Sequence, residues 1–125
     1  MKIIILAGGK GTRLPRSAKN IPKSLVKIAG KPILQHQIDI LEKHNLTDIR
    51  FSLGYEANQI IDYLKNKHEY IIESEPLGTG GAIKFASKDL KEDFMILNGD
   101  ILTDINFSEF LKFHKNVPQA NSLTV

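Results

Sequence analysis

The chain has 125 residues, 42% hydrophobic and 25% charged, which suits one soluble globular domain with a sizeable core and argues against disorder. There is no cysteine, so disulfides and thiolate metal sites are excluded. No apolar stretch approaches the ~20 residues of a membrane-spanning helix, and Met1 to Leu6 is too short for a signal-peptide core, so a cytoplasmic location is expected. The net charge of +3 is unevenly spread. Residues 1–38 hold eight cations and no carboxylate, whereas the remainder holds nine cations against fourteen carboxylates. This asymmetry points to an anionic partner for the first third, nucleic acid or a polyphosphate. The cations there are interleaved with glycine and proline rather than aromatics, which disfavours a stacking platform for single strands.

Lys2 to Ala7 is a continuous apolar run ending in glycines, as expected of a strand buried on both faces of a parallel sheet. Residues 8–31 have no hydrophobic period and read as a long functional loop. Lys31-Pro32 opens a helix, with Pro32 in its first turn, and Ile33, Leu34, Ile38 and Leu41 repeat at helical spacing to about Lys43. Asp48 to Leu53 reads as a strand closed by Gly54. Glu56 to Lys67 reads as a helix with Ile60, Ile61 and Leu64 on one face. Tyr70 to Glu73 is a short strand, 75–79 a loop, and Thr79 a helix cap before a helix lined by Ala82, Ile83 and Ala86. Phe94 to Leu97 is another apolar strand, ending in Asn98-Gly99-Asp100. Phe107 to Lys115 reads as a helix carrying Phe107, Phe110, Leu111 and Phe113, and Ser122 to Val125 as the start of a strand.

Strands alternating with helices imply βαβ units on a parallel sheet. Ligands on such sheets sit beyond the carboxyl ends of the strands. Both unusual loops, 8–31 and 75–79, and the Asn98-Gly99-Asp100 tip lie at such ends, so three distant segments are expected to converge on one crevice.

The first loop carries the chemistry. In LAGGKGTRL, Leu6 to Leu14, the glycines Gly8, Gly9 and Gly11 allow close approach of main chain to ligand, and successive N–H groups can cradle phosphate oxygens. Arg13 adds a bidentate phosphate donor and Lys10 a mobile charge. The string fits neither the Walker A pattern nor the dinucleotide fingerprint, which needs a third glycine where Leu14 stands. Lys23 follows Pro22, which stiffens the approach to it, although a Pro-Lys pair alone also suits a surface turn. Asp100 can hold Mg²⁺, an ion that takes oxygen ligands and keeps waters and substrate phosphates as the rest, or it can serve an ordinary turn. Glu75 is either a solvated loop carboxylate or a reader of guanine, whose adjacent N1–H and N2 amino donors one carboxylate can accept together. The four histidines have no ligand-like spacing. Asn45-Leu46-Thr47 and Asn106-Phe107-Ser108 match the glycosylation sequon, which has no meaning without secretion. No Ser–His–Asp or Cys–His set is present.

LAGGKGTRL, PKSLVKIAGKPIL, EPLGTGGAI and LNGD, in this order and at these intervals, resemble the nucleotide-sugar pyrophosphorylases, the sugar-1-phosphate nucleotidyltransferases. VKIAGKPIL, SLGYEANQII and EPLGTGGAI are most similar to guanylyltransferases of mannose-like or heptose 1-phosphates. The resemblance implies a Rossmann-like, glycosyltransferase-A-like α/β domain: a mostly parallel sheet with flanking helices. It implies that an NTP, GTP favoured, donates its nucleotidyl group to a sugar 1-phosphate with Mg²⁺ and releases pyrophosphate, with no part for nucleic acid or membrane. It also implies roles for particular residues. The main chain of Leu6, Ala7, Gly8 and Gly9 holds the nucleotide, and Gly11, Thr12 and Arg13 its phosphates. Lys23 sits at the reacting α-phosphate, Glu75, Gly78 and Thr79 read the base, and Asp100 ligates Mg²⁺. Arg13 and Lys23 are the catalytic pair. Ser24 stands where many members have a second proline. Family catalytic domains are longer than this chain, so residues 1–125 are read as an N-terminal, nucleotide-binding half, truncated and catalytically incomplete. A uridylyl- or thymidylyltransferase of the same family and a non-catalytic nucleotide-sensing module are the alternatives.

Overall fold

A computed structural model describes residues 1–10 and 20–117. Four strands form a parallel sheet. β1 (Lys2–Ala7) is central, β4 (Ile49–Leu53) and β5 (Glu69–Ile72) lie to one side, and β6 (Phe94–Asn98) lies on the other. Among the described residues the α-helices are α1 (Ile33–Lys43), α2 (Ala57–Leu64), α3 (Gly78–Ala86) and α4 (Phe107–Asn116). The alternation of strand and helix expected from the sequence is present, with boundaries shifted by a few residues. The Ser122–Val125 strand lies outside the described residues.

The last part of the 8–31 loop is less irregular than its composition suggests. Lys23–Leu25 form a 3-10 turn, and β2 (Lys27–Ile28) pairs antiparallel with β3 (Lys31–Pro32). Ala29 and Gly30 make the hairpin turn with φ of 50° and 76°. Two central residues at positive φ define the favoured tight hairpin turn, but its usual signal is Asn-Gly, not Ala-Gly. With two residues per strand, no alternation could reveal it.

Register divides the sheet into two chemically distinct faces. Ile3, Ile5 and Ala7 stand beside Ile49, Phe51 and Leu53, and Ile3 and Ile5 also stand beside Met95 and Leu97. This face packs under Leu34, Ile38 and Leu41 of α1, Ala57, Ile60 and Leu64 of α2, and Phe107 of α4 in one cluster. The helical stripes read from the sequence are therefore core-facing. Phe113 is the exception, 62% exposed, because α4 presents only part of its circumference to the sheet.

The opposite face lies under α3 and is partly polar. Arg50 and Ser52 of β4 are both buried there. Arg50 Nη1 and Nη2 donate to the two Asp89 oxygens at 2.6 and 2.7 Å, Nη1 also donates to Ala86 O, and Nε donates to Glu69. A buried guanidinium needs such partners. Arg50 thus joins β5 to the end of α3. Hydrogen bonds from its guanidinium hold the Asp89 carboxyl at about 2, well below the usual carboxylate value, and, with a further hydrogen bond from Lys2, lower Glu69 as well.

The chain runs β1, β4, β5 in one direction. It then returns over the second face through α3 to reach β6 on the far side of β1. The carboxyl ends of β1 and β6 are thus adjacent, and Gly99 N–H donates to Leu6 O at 2.8 Å. A Cβ on Gly99 would stand 2.8 Å from that oxygen and 3.1 Å from the Ala7 Cβ. Only glycine permits this approach.

Gly99→Ala should therefore destabilise the fold by about 1–3 kcal/mol, the usual cost of overpacking. Gly80→Ala, where an added Cβ meets nothing within 4 Å, should be neutral or stabilise by about 0.5–1 kcal/mol; urea midpoints measure both. Because Asp89 and Glu69 are depressed, the stabilisation they confer is complete above their unfolded pKa of about 4. It is lost as pH falls toward about 2. Urea midpoints from pH 7 to 2 should fall over that interval in the wild type and fall less in Asp89→Asn, which starts lower at pH 7.

Candidate active site

Beyond the carboxyl ends of β1 and β6 lies a cavity of about 360 Å³. Three stretches line it: Leu6 to Lys10 after β1, Pro76 to Thr79 at the start of α3, and Asn98 to Asp100 after β6. Lys23 and Ser24 close one side, and Glu73 lies at the end of β5. The expected convergence of three loops is thus what the fold produces. The three expected residues Gly11, Thr12 and Arg13 lie outside the described residues.

Lys23 and Asp100 meet across the cavity, with Nζ 3.3 Å from Oδ2 and both side chains over a third exposed. They are 77 residues apart in sequence, and the 3-10 turn after Pro22 brings Lys23 there. A long, half-exposed pair of this kind contributes little to stability, about 0–1 kcal/mol. Both groups stay accessible to a ligand. Ser24 Oγ is buried and has no hydrogen-bond partner among the described residues, which is uncommon for a buried hydroxyl.

The start of α3 differs from the expectation. Thr79 is not its cap: the helix begins at Gly78, with Leu77 at the cap position and no side-chain hydrogen bond there. Gly78 has φ +68°, a conformation L-residues rarely adopt. Leu77 thus gives the first-turn amides of α3 no side-chain cap, and that turn belongs to the cavity wall. Such amides favour an anion or an acceptor atom. Gly78 and Thr79, expected to contact the ligand, both line the cavity.

Glu75 is exposed and is not among the lining residues. Glu73 is the carboxylate that lines it. Glu73 N–H donates to Leu53 O at 2.8 Å, extending the β5 ladder, and Ser52 Oγ donates to Glu73 Oε1 at 2.8 Å. A Cβ on Gly8 would stand 3.3 Å from that same Oε1. Glu73 is therefore held against the glycine loop, while Glu75 is two residues further along. Strand alternation gives no reason to single out the residue that follows a short edge strand, so the sequence passes over Glu73.

The charge asymmetry of the first third is only partly directed at this cavity. Lys2 is at the opposite end of β1, paired with Asp48 and Glu69 at 2.6 and 2.8 Å, and Lys31 pairs with Asp39. Among the described residues, Lys10 and Lys23 are the cations that line the cavity.

No group of three or more histidine or carboxylate residues suited to a metal is present among the described residues. A single accessible carboxylate fits Mg²⁺ bound together with a polyphosphate, since that ion keeps waters and phosphate oxygens as its other ligands. Asp100, 41% exposed at its side chain and facing Lys23, meets that requirement.

A family model described as "Nucleotidyl transferase" matches residues 2–125. The chain belongs to this nucleotidyl transferase family. It is 42% identical to the bifunctional protein GlmU of Methanococcus maripaludis, over 97% of this chain and 30% of that protein. It is 37% identical to mannose-1-phosphate guanyltransferase of Aspergillus oryzae, over 100% of this chain and 37% of that protein. The crystal structure of HddC from Yersinia pseudotuberculosis complexed with GMP-PN superposes with a TM-score of 0.82 and 41% identity, covering 92% of this chain and 54% of that one. The chain thus spans about a third of the length of these curated relatives, and the mostly parallel sheet with flanking helices is the fold of HddC. No described helix is long and apolar enough to cross a membrane.

Lys23→Ala separates a ligand role from a structural one. It should change stability, measured by urea unfolding, by no more than about 1 kcal/mol, as for an exposed ion pair, yet weaken inorganic triphosphate binding by at least about tenfold, the loss of one charge-assisted contact; calorimetric titration gives the binding constant.

Proposed function

We propose that residues 1–125 form the nucleotide-binding half of a sugar-1-phosphate nucleotidyltransferase domain that takes GTP with Mg²⁺. The observation that carries this reading is the single cavity that gathers the Leu6–Gly9 main chain, Lys23, Asp100 and the uncapped start of α3 at the carboxyl ends of β1 and β6. Family membership supports the reaction class. The guanyltransferase relative and the HddC complex with GMP-PN support a guanine nucleotide.

In the proposed reaction an oxygen of the sugar 1-phosphate attacks the α-phosphorus of GTP. The bond from that phosphorus to the bridging oxygen breaks, and pyrophosphate leaves. The attacking oxygen is already anionic, so no protein nucleophile or strong base is needed. The main chain from Leu6 to Gly9 orients the nucleotide, and the α3 amides offer hydrogen bonds. Lys23, with Arg13 from the glycine loop, offsets repulsion between the two anions and the charge that builds on the phosphoryl oxygens. Asp100 would hold Mg²⁺, which when bound supplies charge neutralisation on the phosphates. Removing one such charge-stabilising group costs about 2.7–4 kcal/mol of barrier, so loss of Lys23 corresponds to roughly a hundredfold or more in kcat. Glu73, at the cavity wall, replaces Glu75 as the carboxylate suited to accept the two adjacent donors of guanine.

This chain spans about a third of the length of its curated relatives, so nucleotide binding is expected of it, and sugar-nucleotide formation is expected of a chain that also carries the rest of that length. In a thermal-shift panel of the four NTPs with Mg²⁺, GTP should raise Tm most. Glu73→Gln should reduce that preference, and Glu75→Gln should leave it in place. Equal shifts with all four nucleotides in the wild type would overturn the guanine reading, and no shift with any of them would overturn nucleotide binding.

A further inference from the structure

Asp100 lies on a turn that is weakly closed by its own backbone. The Ile101 N–H reaches Asn98 O at 3.3 Å, beyond the usual range for an N–H···O bond. What spans this turn comes from α1. Gln37 Nε2 donates to Asn98 O and to Ile101 O, both at 2.7 Å. One side-chain nitrogen, 61 and 64 residues away in the chain, brackets the segment that carries the carboxylate. The Gly99 N–H bond to Leu6 O holds the same segment against β1.

Gln37 is an unusual residue for its place. It is 5% exposed, on the same buried stripe of α1 as Leu34, Ile38 and Leu41. A leucine or methionine would fill that volume without desolvating an amide. Moreover, Gln37 Oε1 is buried with no hydrogen-bond partner among the described residues, a cost its two donor bonds must offset. Gln37 does not line the nucleotide cavity, so it does not act by touching the nucleotide.

We propose that Gln37 is a positioning residue that fixes the Asp100 carboxylate for Mg²⁺ by clamping both ends of its turn. The inference rests on the assignment of Asp100 to the metal. Partners that orient a metal ligand without touching the metal typically account for about 10–100-fold in metal affinity. Gln37→Met keeps the volume and removes both donors. It should therefore weaken the metal dependence of nucleotide binding while leaving metal-free binding as it was.

The test is calorimetric titration of GTP into the wild type, Gln37→Met and Asp100→Asn, first in EDTA and then across a Mg²⁺ series. In Gln37→Met the Mg²⁺ concentration for half-maximal enhancement should rise at least about tenfold, with the affinity in EDTA unchanged. Asp100→Asn should abolish the enhancement, and adding Gln37→Met to it should change nothing more. A Gln37→Met protein that is merely less stable, with unaltered Mg²⁺ dependence, overturns the proposal. If Asp100→Asn keeps the full Mg²⁺ enhancement, the assignment of Asp100 itself fails. A measurement on the wild type is independent of how well the variants fold: the Gln37 side-chain amide resonance should shift when Mg²⁺ is added to the GTP complex. An unmoved resonance there also overturns the proposal.

Discussion

The contact on which the site depends is the hydrogen bond from Gly99 N–H to Leu6 O, made where no Cβ can fit. It joins the ends of two strands that are adjacent in the sheet and over ninety residues apart in sequence. Through it the glycine loop after β1 and the turn that bears Asp100 become two walls of one cavity. A second close approach works the same way, since a Cβ on Gly54 would stand 2.9 Å from Gly8 O. Main chain packed against main chain at strand ends leaves N–H and C=O groups, rather than side chains, as the surface a ligand meets.

The two faces of the sheet divide the labour. The face under α1, α2 and α4 is a continuous apolar cluster, and burial of this kind contributes about 1.5–3 kcal/mol per large aliphatic side chain. The face under α3 instead holds the buried Arg50 with its carboxylate partners, and Ser52 bonded to Glu73. Buried ion networks contribute less to stability than to fixing a geometry. Arg50 ties the end of α3 to β4 and β5, and the start of α3 is a wall of the cavity. The polar face thus anchors the carboxyl end of α3 to β4 and β5, while the apolar face supplies most of the driving force for folding.

Much was legible from residues alone. The β1 run, the helical stripes at Leu34, Ile38 and Leu41 and at Ile60 and Leu64, and the strand ending in Asn98-Gly99-Asp100 follow from hydrophobic period and from glycine placement. So does their arrangement as a parallel sheet with loops gathered at one end. Four ordered motifs pointed to the family. Less was legible where the signal is short or non-local. The β2–β3 hairpin turns on Ala29-Gly30, Thr79 lies inside α3 rather than at its cap, and Phe113 faces solvent.

By itself, then, the sequence determined the period of each element, the placement of the glycines and the identity of the charged groups, because these depend on neighbours a few residues apart. Tertiary structure alone decided which charges reach the cavity. Lys2 and Lys31 are drawn into ion pairs elsewhere, Lys23 meets Asp100, Glu73 rather than Glu75 lines the wall, and Gln37 spans the Asp100 turn. The physical reason is that a side chain's charge is written in its residue type, whereas the partner that orients it is set by strand register and by the packing of helices from distant parts of the chain.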